Sequence, residues 1–254
     1  MARFRSFTLP LTGLLGLSAL TSVPSVAAPA CSTRSAASMP LVVELYTSEG
    51  CSSCPGADKW LSRLKAQPSV VALAFHVDYW DRLGWKDRFA SPAFTQRQSR
   101  QQAGSGARFS YTPQVIVDGA DRPDWAGVGA SIATRARPAA PVDVHLVREG
   151  NRFSATVAPS TGAPARLAAY WAVTEQGHVT SVKAGENEGV TLVHDFVVRE
   201  YRPVAAWAAE AAGPTASLQF DLAGAADPTH PRHVNLVIVN ADSGRPVQAV
   251  QLAC

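Results

Sequence analysis

Two short apolar runs, residues 41–47 and 70–77, bracket a segment whose period changes. Between them Ala57, Trp60, Leu61 and Leu64 recur at helical spacing, Pro55 suits a first helical turn, and Pro68 stops the pattern. Strand, helix and strand in so short a stretch close as a βαβ unit. The helix carries the chain back, so the two strands run parallel. This constrains the fold more than any other feature. Where the first strand hands over to the helix, after the turn Ser48-Glu49-Gly50, the chain reads Cys51-Ser52-Ser53-Cys54.

That placement matters chemically. The first amides of a helix lack intrahelical acceptors, and the positive end of the helix dipole favours an anion there. The thiolate, not the thiol, attacks a disulfide, so a thiol at this end is expected to be reactive. Cys51 is expected as the exposed nucleophile and Cys54, inside the first turn, as the resolving thiol. The two-residue spacer lets the sulfurs join as a Cys51–Cys54 disulfide. Two blander readings compete. A structural zinc half-site needs a second ligand pair of similar spacing, which the chain lacks, so no metal site is expected. A static local disulfide is the other.

Downstream, Ser91-Pro92 opens a second helix running to about residue 103, closed by Gly104 and Gly106. Tyr111-Thr112-Pro113-Gln114 then leads into a strand at 114–118. A proline in front of a strand sets a tight turn, with cis geometry expected. Thr112 and Pro113 are the candidate substrate-binding pair, leaving backbone free to hold an extended segment by β-pairing. Asp118-Gly119 signals a hairpin to a short edge segment, and residues 128–137 read as a further helix. After Pro138 and Pro141 the character changes to short strands, at 142–147, 152–157, 167–174, 189–198, 218–222 and 234–239, separated by turn residues. The division expected is therefore an α/β domain over 40–138 and a β-rich part over 141–254.

Four further residues are candidate supports for the cysteine pair. Glu44 lies in the first apolar strand; buried beside the sulfurs, it would have a raised pKa and could relay the proton of Cys54, whereas on an edge strand it would face water. His76 and Asp78, two apart at a strand end, should share a face, and the favoured reading is that they anchor the aromatic loop that follows. Trp80, with Trp85, is a candidate apolar wall or simply local core. Glu186, Asn187, His194 and Arg199 read as turn chemistry and cross-strand pairing, with a role facing the cysteines as the sharper alternative.

Arg3 and Arg5, the apolar stretch 9–20 and Ala28-Pro29-Ala30 have the pattern of a leader, residues 1–30, cleaved after Ala30. The apolar stretch is too short to span a bilayer, so the expectation is a periplasmic or secreted protein with no stable membrane span. A lipid anchor on Cys31 would call for an aliphatic residue where Ala28 stands. Outside the cytoplasm disulfides persist, and Cys31 and Cys254, near the ends of the mature chain, are a candidate second pair. Removing Arg3 and Arg5 lowers the formal charge from +3 to +1, 21 basic against 20 acidic residues. No single-sign field remains to suggest nucleic acid.

Residues 43–55, 74–87 and 91–94, and Tyr111 to Gly119, resemble the successive blocks of a family of secreted thioredoxin-like proteins catalogued as a domain of unknown function, DUF1223. Gly185-Glu186-Asn187-Glu188-Gly189 with His194 and residues 197–199 resembles a later block. The stretch 119–125 departs from that pattern. The resemblance implies an α/β, thioredoxin-like fold followed by a β-rich C-terminal part, and no particular activity. Read together, the residues suggest an exported thiol-disulfide oxidoreductase without a cofactor. Its partners would be a protein or small-molecule thiol or disulfide and a second redox partner that resets the pair. The alternatives are a soft-metal (copper) carrier using Cys51, Cys54 and His76, and a non-catalytic adaptor.

Overall fold

The structure is a computed structural model that describes residue 1 and residues 31–127, 136–209, 216–224 and 227–253. A short strand β1 (Cys31–Arg34) precedes the expected unit of β2 (Leu41–Thr47), α1 (Cys54–Ser62) and β3 (Val70–His76). The helical pattern to residue 67 is realised as α1 tightening into a 3-10 turn, Arg63–Ala66. Next come α2 (Pro92–Ser105), β4 (Gln114–Val117) and the two-residue β5 (Ala120–Asp121). Ser91 caps α2 by accepting from the Ala93 amide, with Pro92 at the first turn. The expected leader and most of the helix expected at 128–137 lie outside the described residues, as does Cys254 of the expected Cys31–Cys254 pair.

The second half is strands throughout its described part: β6 (Val142–Glu149), β7 (Arg152–Pro159), β8 (Arg166–Glu175), β9 (His178–Ser181), β10 (Thr191–His194), β11 (Val197–Ala208), β12 (Ala216–Asp221), β13 (Arg232–Asn240) and β14 (Pro246–Leu252). The single strand expected at 189–198 is split into β10 and β11, with Phe196 at φ 57° in the break.

The α/β, thioredoxin-like fold class is overturned by the sheet. Strands make up 45% of the described residues and helix 16%, with two α-helices among them. The reason lies at the edge of β3. A βαβ unit that closed on itself would leave that edge to another helix-linked strand. Instead β11 arrives from the second half, parallel to β3 at Val197 and Ala74 and antiparallel to β8. One eight-stranded sheet results, in the order β14-β13-β8-β11-β3-β2-β4-β5. The segments 40–138 and 141–254 therefore share a sheet. A second sheet, β1-β6-β7-β12, covers one face of its C-terminal end, and β9 and β10 form a separate hairpin.

Alternation along the strands builds three cores. Leu41, Val43 and Leu45 of β2 pack with Ala57, Trp60 and Leu61 of α1 and Leu64 of the 3-10 turn after it. Val42 and Tyr46 face the other way, with Phe75, Phe94 of α2 and Tyr170 of β8. Trp171, Leu236 and Val250 of the large sheet meet Leu146, Phe153 and Phe220 of the small one. The C-terminal ends of β2 and β3 are thereby held rigid on both faces, and the loops that leave them carry the cysteines.

Candidate functional site

Cys51 and Cys54 form a disulfide, with Cα atoms 5.4 Å apart. Cys54 opens α1, and its amide donates to the Cys51 carbonyl at 3.1 Å. Ser53, in the capping position, makes no side-chain cap; its hydroxyl stands 3.4 Å from Cys51 Sγ instead. The helix end is left without a side-chain acceptor beside the sulfur. In one respect the sequence reading is corrected: Cys51 is not the exposed member of the pair, for both cysteines are 0% exposed while Ser52 and Ser53 lie at the surface.

Three segments supply the cover. The Thr112–Pro113 peptide bond is cis, and the Thr112 hydroxyl donates to Cys51 Sγ at 3.4 Å. Trp80, from the loop after β3, donates its indole N–H to Thr112 Oγ1 at 2.8 Å. This loop lies on the disulfide turn so closely that a Cβ added at Gly50 would be 3.1 Å from Trp80 Cβ. From the β9–β10 loop, Asn187 donates to the carbonyls of Glu49 at 2.8 Å and Cys51 at 3.0 Å, and the Ser52 amide donates to Glu186 at 3.0 Å. Glu186 and Asn187 thus face the cysteines, and turn chemistry alone does not account for them. Thr112, Pro113, Trp80, Cys51 and Cys54 come together here.

A family model described as a protein of unknown function, DUF1223, matches residues 42–240, a span that takes in every one of these segments. The chain belongs to the DUF1223 family. Among solved structures, this DUF1223 protein is similar to an Agrobacterium tumefaciens protein known from X-ray crystallography, at 26% identity and a TM-score of 0.59, over 85% of this chain and 95% of that one. It is also similar to HBP35 of Porphyromonas gingivalis, at 16% identity and a TM-score of 0.59, over 86% of this chain and 76% of that one. The latter likeness is one of fold. No curated protein matches the chain.

Glu44 belongs elsewhere. It points to the α2 side of β2, away from α1, and its carboxylate accepts from Arg97 Nη2 at 2.5 Å and Nε at 3.2 Å, Tyr170 at 2.7 Å and Tyr46 at 2.9 Å. Burial pushes its pKa up, but the Arg97 charge and these donors outweigh burial and hold it below the usual carboxylate range. A carboxylate so committed is an ion-pair partner, not a proton relay for Cys54. His76 and Asp78 also part company. His76 turns towards α1 and meets Asp87 with Nδ1 to Oδ2 at 2.6 Å, whereas Asp78 accepts from Thr95 of α2 at 2.5 Å. Both anchor the aromatic loop, on opposite sides. Arg199 pairs with Glu175 at 3.2 Å.

Sequence reasoning missed the acidic floor of the site. Asp87 also accepts the Glu49 amide at 2.9 Å, and Glu49, 0% exposed, accepts from Trp85 Nε1 at 2.8 Å and lies 3.4 Å from His194 Nε2. Burial raises the Glu49 pKa, yet His194 and its hydroxyl and indole partners bring it below the usual value. His76 is opposite in sign: burial lowers its pKa and the Asp87 charge and hydrogen bond more than restore it, while His76 in turn brings the buried Asp87 below the usual carboxylate range. Asp58, one helical turn beyond Cys54, is buried with a hydrogen bond from Thr47 Oγ1 at 3.2 Å, and desolvation raises its pKa. Its signal was in the sequence, because Asp58 falls on the helix face defined by Cys54, Ala57 and Leu61. Among the described residues no three His, Cys, Asp or Glu side chains are grouped to hold a metal ion.

Proposed function

We propose that this DUF1223 protein exchanges disulfides with a protein or small-molecule thiol through Cys51 and Cys54, behind a cover one side chain thick. The observation that carries the reading is the junction itself: a disulfide at an uncapped helix start, with the Thr112 hydroxyl on Cys51 Sγ beside a cis proline. In the oxidised form, a substrate thiolate attacks Cys51 Sγ. The Cys51–Cys54 bond breaks, Cys54 leaves as a thiolate and takes up a proton, and the substrate is held as a mixed disulfide. A second substrate thiol, having lost its proton, displaces Cys51, so two electrons and two protons end on the pair. The reverse sequence runs from the reduced pair. For an attacker to reach Cys51 the Trp80 and Thr112 cover must move aside. The leader pattern of residues 1–30 supports a periplasmic or secreted setting, where such a pair meets thiol and disulfide partners.

The complete burial of Cys51 favours one other reading, an inert staple of the β2–α1 turn. Trapping separates them. The Cys54→Ser protein, exposed to extracytoplasmic protein or to glutathione disulfide, is expected to accumulate reductant-sensitive adducts on the Cys51 peptide. An empty trap, together with a wild-type disulfide that survives millimolar dithiol under native conditions, would establish the staple.

A further inference from the structure

We infer that Trp80 is a positioning residue for Cys51, acting through Thr112. This rests on the reading of Cys51 as the reacting sulfur. The argument is one of hydrogen-bond polarity. An indole N–H can only donate, so the 2.8 Å bond from Trp80 Nε1 occupies a lone pair of Thr112 Oγ1. The hydroxyl then keeps one proton to give, and Cys51 Sγ stands 3.4 Å from the same oxygen, within reach of a donor to sulfur. Trp80 in effect converts Thr112 from a hydroxyl that may turn either way into a fixed donor aimed at Sγ. A thiolate accepts such a bond far better than a thiol or a disulfide sulfur, since hydrogen bonds to charged acceptors are about twice as strong as neutral ones. The pair of bonds therefore stabilises Cys51 as the anion that attacks a disulfide or departs from one.

The position of Trp80 is itself determined. Gly50 lets its Cβ approach the disulfide turn, and the loop is tied down through the His76–Asp87 contact at 2.6 Å and Asp78 on Thr95. One competitor faces Thr112: Tyr79, whose buried hydroxyl makes no hydrogen bond of normal geometry and interacts with the threonine side chain. Other titratable groups around the cysteine loop are Glu186 on the Ser52 amide, Glu49 with His194 beneath the turn, His76 with Asp87, and Asp58 one turn along α1. None of them contacts Thr112 Oγ1 by hydrogen bond among the described residues, so a change confined to Trp80 leaves them in place.

The test reads the titration of Cys51 in the Cys54→Ser background, from the pH profile of iodoacetamide alkylation at the Cys51 peptide. Trp80→Phe keeps the ring and removes the donor. The midpoint is expected to rise by about one pH unit, close to the rise in Thr112→Val, and the double variant should rise no further than Thr112→Val alone. Thr112→Ser should restore the original midpoint, and Tyr79→Phe should leave it unchanged. A loosened cover would raise the plateau rate without moving the midpoint. A Trp80→Phe midpoint that stays put while Thr112→Val shifts, or a Tyr79→Phe shift as large as that of Trp80→Phe, overturns the inference. The ultraviolet absorbance of the thiolate reads the same midpoint with no reagent reaching the sulfur, so it remains measurable even where trapping with partners gives nothing.

Discussion

Replacing Glu44 by Gln gives the sharpest separation of structure from chemistry. In the native protein the Glu44 and Arg97 side chains are 4% and 8% exposed, and each Glu44 oxygen receives one guanidinium bond and one tyrosine hydroxyl. Glutamine keeps the shape but presents an amide N–H₂ to donors and leaves the arginine charge without its counterion. Breaking a buried pair from one side costs about 3–5 kcal/mol. A domain of this kind is stable by roughly 5–15 kcal/mol, so about a fifth or more of the total is at stake. With a urea m-value of about 2–3 kcal/mol/M, the unfolding midpoint should fall by roughly 1.5 M in tryptophan fluorescence. The alkylation midpoint of Cys51 should not move, because the carboxylate lies on the opposite face of β2 from α1. Acid behaviour gives a second check. The folded pKa of Glu44 is depressed, so its stabilisation is present above the ordinary glutamate value of about 4.3 and is lost as pH falls through the folded value. Wild type should lose stability below about pH 4.3 more steeply than Glu44→Gln. A urea midpoint displaced by less than about 0.3 M, or a Cys51 titration that follows the mutation, would refute this assignment of Glu44.

The other expectations concern the cover and the floor of the site. Asn187→Ala strands two buried carbonyls and should lower stability by about 2 kcal/mol while quickening reduction of the disulfide by dithiol; unchanged reduction would mean that the β9–β10 loop does not restrain the turn. Gly50→Ala places a methyl 3.1 Å from Trp80 Cβ and should push the cover outwards, seen as faster reduction at nearly constant unfolding midpoint. Asp58 has a raised folded pKa, so its contribution is full in acid and is lost as pH rises through that value; Asp58→Asn should therefore stabilise the protein more at pH 8 than at pH 4, and equal effects at the two pH values would count against it.

The βαβ unit was legible because periodicity is local: β2, α1 and β3 begin at the residues the pattern indicates, 41, 54 and 70. The proximity of Thr112 to Cys51 was legible through the position of Pro113 between a helix and a strand. What joined the second half to the first was not. The edge of β3 is satisfied by β11, a pairing whose energy lies in backbone bonds between distant segments that no residue type announces. Strands β1 and β14 escaped for a related reason: Ser32, Thr33, Gln248 and Gln251 interrupt the apolar pattern, although Leu252 and Cys31 pack on the same core. Glu44 shows the limit most clearly. A carboxylate in an apolar strand reads identically whether its partner is a thiol or an arginine 53 residues further on. Only its side of the sheet decides, and that depended on α2 supplying Arg97.

The bond from Asn187 to the Cys51 carbonyl spans 136 positions of chain. During synthesis the cysteines emerge long before the residue that fastens their turn. An early oxidation would therefore occur on a loose loop, and a reductant arriving then would meet two accessible sulfurs. The finished protein differs, because its hairpin latches the loop only after the second half has been made. A chain stopped near residue 141 would hold both cysteines and the cis proline, yet have neither the latch nor a neighbour for the open side of β3.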